Sequence, residues 1–216
     1  MGFEYKYILY KNLESRIDSF CNNNGHLDPN CFDDSGYKIE SIYKFFWNSN
    51  DKHGKIRLRM YTTSKQNFYF VEEKMKENDF VSKTRIKIEE KVYHNLCYCA
   101  NESVFFLLLN QLNFPTYQHP SMSGEFNTYT VRYHRTPWMI TLFGNEYRLT
   151  IDRDVCTSYG DNSLGILEPD KRILEIKGAK EAEIPIRFIN QEYGLVPEKI
   201  SKYKLASKII ETAIKV

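Results

Sequence analysis

Arginine, lysine and glutamate recur at every second position through several stretches of this chain, and that spacing is what could do chemistry. In Lys55-Ile56-Arg57-Leu58-Arg59-Met60-Tyr61 the cations alternate with Ile56, Leu58 and Met60. Glu72, Lys74 and Lys76 alternate with a set that includes Val71 and Met75, and Lys83, Arg85 and Lys87 alternate with Thr84, Ile86 and Ile88. Arg148, Thr150 and Asp152 oppose Leu149 and Ile151, while Glu175 and Lys177 oppose Leu174 and Ile176. Alternate side chains of an extended segment share a face, so each stretch sorts into one apolar and one charged face. Rows of cations with a few carboxylates among them meet the needs of a phosphate chain with a divalent metal. Guanidinium forks pair with phosphate oxygens, ammonium groups act as point charges, and carboxylates hold hard Mg²⁺ or Mn²⁺.

The competing reading is a sheet with one face on its core and one in water. A solvated face usually mixes signs, and this one is lopsided. Residues 52–91 hold 11 Lys/Arg and 6 Asp/Glu, a surplus of +5, so the remainder must be −3 because the whole chain is +2. Like charges about 6.7 Å apart on one face repel by roughly 0.6 kcal/mol in water and about 2.5 kcal/mol at an effective dielectric near 20. Open to solvent such a row costs little; enclosed, it needs an anion. Repetition of the pattern on strand after strand favours an enclosed cationic interior. Nucleic acid is the other polyanion to weigh. It calls for exposed aromatics among the basic residues and a higher pI than 8.1. The aromatics here are expected in the core, so nucleic acid is not the expected partner.

The elements that must carry these faces follow from hydrophobic period. Lys11 to Asn22 has Leu13, Ile17 and Phe20 at helical spacing, and then enters an Asn-Gly loop. A second helix is predicted from an Asn101 cap through Leu112, before Pro115, and a third from Ser201 to about Lys215. Strands are predicted at Lys55–Tyr61, Phe70–Lys76, Lys83–Glu89, Tyr129–Arg135, Tyr147–Asp152 and Ile173–Lys177. Turns at Asn78-Asp79, Gly144-Asn145 and Gly160-Asp161-Asn162 separate several of them. Many strands, few helices, 16 Tyr and 14 Phe give an α+β class dominated by an antiparallel sheet closing on itself.

With 216 residues, 42% hydrophobic and 27% charged, the chain can bury a sizeable core, which excludes disordered and low-complexity classes. It reads as one domain, 1–216. The longest apolar run, Val104 to Leu109, is far short of the roughly 20 residues that span a bilayer. The opening Met1 to Lys6 carries charge where a signal peptide needs an apolar stretch, so a cytoplasmic location is expected. Five cysteines, an odd number, argue for reduced thiols rather than a disulfide framework. Cys97-x-Cys99 has no second pair at zinc spacing.

Ordered short motifs then give a family resemblance. Glu4-Tyr5-Lys6-Tyr7, Ser41-Ile42-Tyr43, Arg57-Leu58-Arg59-Met60-Tyr61, Glu72-Glu73-Lys74 and Lys83-Thr84-Arg85 come first. Tyr133-His134-Arg135, Arg148-Leu149-Thr150-Ile151-Asp152, Leu174-Glu175-Ile176-Lys177 and Lys199-Ile200-Ser201-Lys202-Tyr203 follow. In this order and spacing the chain resembles the VTC domain (vacuolar transporter chaperone type) of polyphosphate polymerases, within the CYTH or triphosphate tunnel metalloenzyme superfamily. The resemblance runs from Glu4 to about Ala206.

It implies an eight-stranded antiparallel tunnel barrel with flanking helices and a C-terminal helix. The implied reaction is metal-dependent transfer of the γ-phosphate of ATP to a growing inorganic polyphosphate chain, with Mn²⁺ or Mg²⁺. Carried over, Lys6, Arg57, Arg59, Lys74, Arg135, Arg148 and Lys177 become phosphate ligands acting in catalysis. Lys83, Arg85, Tyr61, Lys199, Ser201 and Lys202 become substrate-binding residues. Glu175 becomes the metal ligand, with Glu4 and Glu72 as further carboxylates for the metal. Glu72 has an equal alternative in pairing with Arg57 or Arg85 across strands. Asp152 is as well suited to orienting an arginine as to binding metal, and plain helix capping by Ser201 is compatible with its ligand role. Two other functions stay open: a triphosphate hydrolase of the same superfamily, and a non-catalytic polyphosphate or nucleotide-binding module. The chain departs from the superfamily at Gly2, where an E-x-E-x-K signature has its first acid. It departs again at Lys44-Phe45-Phe46-Trp47, which replaces an Asp-containing continuation.

Overall fold

Alternation of apolar with charged side chains builds most of the secondary structure. The computed structural model describes residues 3–31, 36–48, 52–78, 80–114, 124–159, 162–178 and 183–214. In chain order the elements are β1 (Phe3–Tyr10), α1 (Lys11–Asn24), β2 (Gly25–Leu27), β3 (Tyr37–Asn48), β4 (Lys52–Thr62), β5 (Asn67–Glu77), β6 (Phe80–Ile88) and α2 (Glu90–Tyr98). There follow α3 (Glu102–Gln111), β7 (Gly124–Leu142), β8 (Asn145–Tyr159), β9 (Asn162–Gly165), β10 (Lys171–Gly178), α4 (Glu183–Tyr193) and α5 (Lys202–Ile214). The strand order is β1-β10-β8-β7-β3-β4-β5-β6, with β2 on β7 and β9 on β8. Eight strands lie on that path, as expected, but the sheet is not closed. Among the described residues β1 has β10 as its neighbour on the path and β6 has β5, so both remain end strands. The expected closed barrel is corrected to an open ten-stranded sheet. By their contacts the residues group into two units: Met1–Lys38, Thr63–Lys65 and Val131–Val216 form unit 1, and Ile39–Thr62 with Gln66–Thr130 form unit 2.

In unit 1, Tyr7 and Leu9 of β1, Tyr147, Leu149 and Ile151 of β8, and Leu174 and Ile176 of β10 form one buried surface. The amphipathic helices α1, through Ile17 and Cys21, and α4, through Ile189, cover it. Each fully buried aliphatic side chain there contributes about 1.5–3 kcal/mol of transfer free energy. Helix α1 runs two residues beyond Asn22, and the Asn24 side-chain amide donates to the Phe20 carbonyl at 2.8 Å. Helix α4 was not expected from the sequence. Its Pro185 lies in the first turn, where a missing N–H leaves no bond unmade.

In unit 2, Ile56 and Leu58 of β4, Val71 and Met75 of β5, and Ile88 of β6 form the buried face. Against it pack Tyr93 and Leu96 of α2 and Phe105 and Leu109 of α3. The Asn101 side chain accepts the Val104 N–H at 3.1 Å, the predicted cap of α3. Helix α2 was not expected, its apolar signal being confined to one short face. Lys44, at the departure after Ser41-Ile42-Tyr43, is only 3% exposed. Its ammonium donates to the Cys99 carbonyl at 3.1 Å and to the Thr128 hydroxyl at 3.3 Å, and burial pushes its pKa down. Residue 79, Pro115, Gly160, Asp161 and Lys215, which figured in the predicted boundaries, lie outside the described residues. None of the five cysteines is in a disulfide. No helix among the described residues is long and apolar enough to cross a membrane.

Candidate functional site

The charged faces of the two units hold most of the residues singled out in the sequence, while Lys199, Ser201 and Lys202 lie just before or at the start of α5. In unit 1 the antiparallel register sets Lys6 opposite Glu175 and Glu4 opposite Lys177. Glu175 in turn lies opposite Thr150, and Lys177 opposite Arg148. Because Tyr5, Tyr7 and Leu9 turn to the core, Glu4 and Lys6 share the other face. Lys6 Nζ lies 2.7 Å from Glu4 Oε1 and 3.7 Å from Glu175 Oε2. Lys177 Nζ lies 3.0 Å from Glu4 Oε2 and 2.8 Å from Glu175 Oε1. Glu175 is 4% exposed. Burial raises its pKa, but Arg135, Lys177, Lys202 and Lys6 together outweigh burial and hold it well below the usual carboxylate range. Glu4 is also lowered: burial and Glu175 act upward, and Lys177 and Lys6 prevail. Lys6 is raised, because Glu175 and Glu4 outweigh its burial.

Beside this lattice, Arg135 of β7 grips Asp152 of β8, and Lys202 at the start of α5 lies 2.5 Å from Asp152 Oδ2. The Tyr133 ring receives both cations, with the Arg135 guanidinium carbon 5.4 Å and Lys202 Nζ 4.7 Å from its centroid. The segment before α5 is anchored on β1, where the Glu198 N–H donates to the Lys6 carbonyl at 2.8 Å. Ser201 Oγ accepts the Lys204 N–H at 3.4 Å, so its hydroxyl caps α5. Lys199 is exposed. Arg148 is held by Asp28 at 3.0 Å and by the Tyr37 hydroxyl at 3.0 Å. Next to Tyr37, Gly36 has φ +79°, and a Cβ there would meet the Arg135 carbonyl oxygen at 2.1 Å. Only glycine allows this close approach of the two backbones.

In unit 2 the centre is Glu72, 1% exposed, at the middle of a row that sets Arg57, Glu72 and Arg85 side by side on β4, β5 and β6. Arg57 Nε donates to Glu72 Oε2 at 2.7 Å, and Arg59 Nη1 lies 3.5 Å from the same oxygen. Lys83 and Arg85 lie 3.2 and 3.3 Å from Oε1. Arg59 also donates to Ser41 Oγ at 3.1 Å and to the Tyr61 hydroxyl at 3.3 Å, and Arg57 donates to the Tyr43 hydroxyl at 3.3 Å. The neighbouring row is Lys55, Lys74 and Lys83, three lysines abreast. Burial raises the Glu72 pKa, yet the four cations hold it far below the usual carboxylate range. Contrary to the sequence expectation, some aromatics lie on this charged face. Arg85 sits 3.6 Å from the Phe70 centroid and 5.2 Å from that of Tyr61, and Lys55 sits 5.1 Å from that of Tyr43.

Unit 1 thus brings together Glu4, Lys6, Arg135, Glu175, Lys177 and Lys202, with Arg148 on the same face as Thr150 and Asp152. Unit 2 brings together Arg57, Arg59, Tyr61, Glu72, Lys83 and Arg85, with exposed Lys74 in the adjoining row. Sequence reasoning missed Asp28 and Tyr37, the partners of Arg148. Asp28 did carry a local signal, since Leu27-Asp28-Pro29-Asn30 is a turn whose Asp28 Oδ1 accepts the Asn30 N–H at 3.0 Å. Asp152 takes the arginine-orienting role of its two alternatives.

Among the described residues no group of three or more His, Cys, Asp or Glu could hold a metal ion by itself. The carboxylates of Glu175 and Glu4 remain a fit for Mg²⁺ or Mn²⁺, which bind through one or two carboxylates plus substrate phosphates. Close by, Thr150 Oγ1 and Arg148 Nε are buried without a hydrogen-bond partner, polar capacity that the protein itself does not satisfy. Glu72 is the less suited carboxylate: Glu4 shares Lys6 and Lys177 with Glu175, whereas among the described residues of β4, β5 and β6 no second carboxylate lies on the charged face beside Glu72. A separate cavity of about 610 Å³, lined by Asp18, Asn22, His26, His134, Trp138 and Arg153 among others, takes in none of the predicted site residues.

Comparison with known proteins adds the following. The family described as VTC domain matches residues 4–210. No curated protein sequence matches the chain. Among solved structures, the PH1819 protein of Pyrococcus horikoshii OT3 is 14% identical. That match covers 96% of this chain and 99% of that one, with a TM-score of 0.45. A Bacillus halodurans protein named as a candidate adenylate cyclase is 12% identical, covering 93% of this chain and 94% of that one, with a TM-score of 0.48.

Proposed function

The chain belongs to the VTC domain family, and from that premise we propose that it is a polyphosphate polymerase. It would be a metal-dependent phosphotransferase moving the γ-phosphate of ATP onto the end of an inorganic polyphosphate chain. The observation that carries this reading is Glu175, a nearly buried carboxylate set among Lys6, Arg135, Lys177 and Lys202. A buried acid in so cationic a setting suits a phosphate chain with a divalent ion better than it suits a stable fold, because buried ion pairs add little net stability.

In this reading Lys6, Arg135, Arg148, Lys177 and Lys202 take phosphate oxygens in unit 1, with Lys199 adding charge at the approach to α5 and Ser201 shaping its first turn. Arg57, Arg59, Lys74, Lys83, Arg85 and Tyr61 do the same in unit 2. Arginine supplies paired bonds and lysine a point charge. Asp152 fixes the plane of the Arg135 guanidinium, so the remaining N–H groups of Arg135 are already aimed when substrate arrives. Phosphoryl transfer needs little covalent help, and positioning with charge neutralisation carries it. The terminal phosphate of the acceptor is largely ionised at neutral pH, so no general base is required. Glu175 and Glu4 would hold Mn²⁺ or Mg²⁺, which would add to the neutralisation of the transferring phosphate. Loss of one central cation is expected to cost on the order of 3 kcal/mol, about a hundredfold in rate.

The test is incubation of purified protein with ATP and Mn²⁺, with products run on a polyphosphate gel beside a Glu175→Ala control. A ladder that disappears in the variant supports the polymerase and its metal ligand together. Orthophosphate accumulating without a ladder would transfer the assignment to a triphosphate hydrolase.

A further inference from the structure

We propose that the Glu72 carboxylate is a built-in anion that occupies the cation cluster of unit 2 and competes with the phosphate ligand for it. This rests on the reading of that face as a phosphate-binding surface and adds how tightly the surface holds. Among the described residues of β4, β5 and β6, Glu72 is the one carboxylate on the charged face. Register alone places it between Arg57 and Arg85. Cations from both neighbouring strands converge on it, while the adjoining row, Lys55, Lys74 and Lys83, carries no acid.

The two oxygens of Glu72 are used differently. Oε2 takes an aligned bond from Arg57 Nε at 2.7 Å, and Arg57 Nη2 lies 2.6 Å from it. Oε1 is buried and has no aligned hydrogen bond, although Lys83 and Arg85 lie 3.2 and 3.3 Å away. Those two side chains are 45% and 38% exposed, whereas that of Arg57 is 15% exposed. An anion arriving from solvent therefore draws on Lys83 and Arg85 first, from the oxygen that binds them loosely. Arg57 stays on Oε2 and keeps its place. The step is an exchange of ion-pair partners with no covalent change: phosphate oxygens replace Oε1 as the counter-charge. The carboxylate keeps the cations converged when no ligand is present, and it weakens ligand binding by repulsion at close range.

The experiment measures binding of inorganic tripolyphosphate by calorimetry, at low and high salt, with EDTA present so that no metal takes part. Glu72→Gln keeps the shape and removes the charge. Affinity at low salt is expected to rise about tenfold or more, with a steeper salt dependence. Should Glu72→Gln fail to fold, Lys83→Gln and the charge-balanced double variant Glu72→Gln/Lys83→Gln provide the same comparison, the double variant binding tighter than the single. Wild type that binds, with variants that bind no tighter or more weakly, overturns the inference alone. Wild type that does not bind while Glu72→Gln does supports the inference, the carboxylate then closing the metal-free face to phosphate. Absence of binding in both overturns the inference, and absence that persists with Mn²⁺ in place of EDTA overturns the proposed function as well.

Discussion

Arg135 and Asp152 meet through two parallel bonds, Nε to Oδ1 at 2.6 Å and Nη2 to Oδ2 at 2.7 Å, with the carboxylate fully buried. Lys202 of α5 shares Oδ2. The pair fixes the plane of the Arg135 guanidinium and ties the first turn of the last helix to β8. Asp152→Asn would take the directly paired carboxylate from buried Arg135 and half-buried Lys202. Unfolding in urea should show a loss of about 3–5 kcal/mol. Arg135→Lys keeps the charge but loses the fork, and should lower both stability and turnover. An Asp152→Asn variant as stable as wild type would remove the pair from any structural role.

Acid should unfold the protein through a small set of carboxylates. Glu72, Glu175 and Asp152 all have folded-state pKa values below their ordinary ones, 4.5 for Glu and 3.8 for Asp, because burial is outweighed by neighbouring cations. A depressed folded pKa gives stability that is fully present above the ordinary value and is lost as pH falls through the folded one. Stability should therefore hold from neutral pH to about pH 5 and fall steadily below it. Glu175→Gln and Glu72→Gln should flatten that fall. Identical slopes in wild type and variants would contradict the assignment.

At the alkaline end Tyr43 is the group to follow. Burial pushes its pKa up from 10.0, but Arg57, Lys55 and Arg59 outweigh burial and bring it down to about 8. The folded protein then releases this proton before the unfolded chain does. Stability should rise as pH climbs from about 8 to 10, by up to about 2–3 kcal/mol. Phenolate absorbance should show early tyrosine titration, to which Tyr61, also lowered because Arg59 and Arg85 outweigh its burial, contributes, and Tyr43→Phe should reduce both effects. A first tyrosine titration near 10 would refute the prediction.

Ser201 separates helix capping from ligand binding. Its hydroxyl accepts the Lys204 N–H at the start of α5. Ser201→Ala should cost about 0.5–1 kcal/mol of stability, and Ser201→Gly only a few tenths. Ser201→Asp keeps a capping oxygen but adds negative charge beside Lys202, so it should preserve stability while weakening tripolyphosphate binding. Equal binding in Ser201→Asp and wild type would place no anion at this helix start.

Much of the fold was legible because period-two alternation is a local property. Ile56 and Leu58, Leu149 and Ile151, and Leu174 and Ile176 are apolar, and all are buried on the faces that alternation assigned to them. The chain's departures have physical reasons. Glu73 follows the apolar positions of β5 and is buried among them, a charge that periodicity treats as an error. Helices α2 and α4 show only short apolar faces, and their stability comes from packing on a sheet already formed. On the face of unit 1 that α1 covers, Glu14 accepts from both Arg153 and Arg172. Nothing near Glu14 in sequence announces partners from two distant strands.

Residue spacing alone sets which residues share a face and where positive charge is concentrated, and hence which faces could receive a polyanion. Those properties need only the alternation of side chains along one strand. Tertiary structure decided which cation meets which carboxylate. Lys6 finds Glu175, Arg148 finds a tyrosine 111 residues away, and Glu72 collects four cations from two neighbouring strands. Such pairings depend on register between strands far apart in the chain. Their strength depends on how much water the packed sheet removes from each pair, and a sequence read strand by strand contains neither.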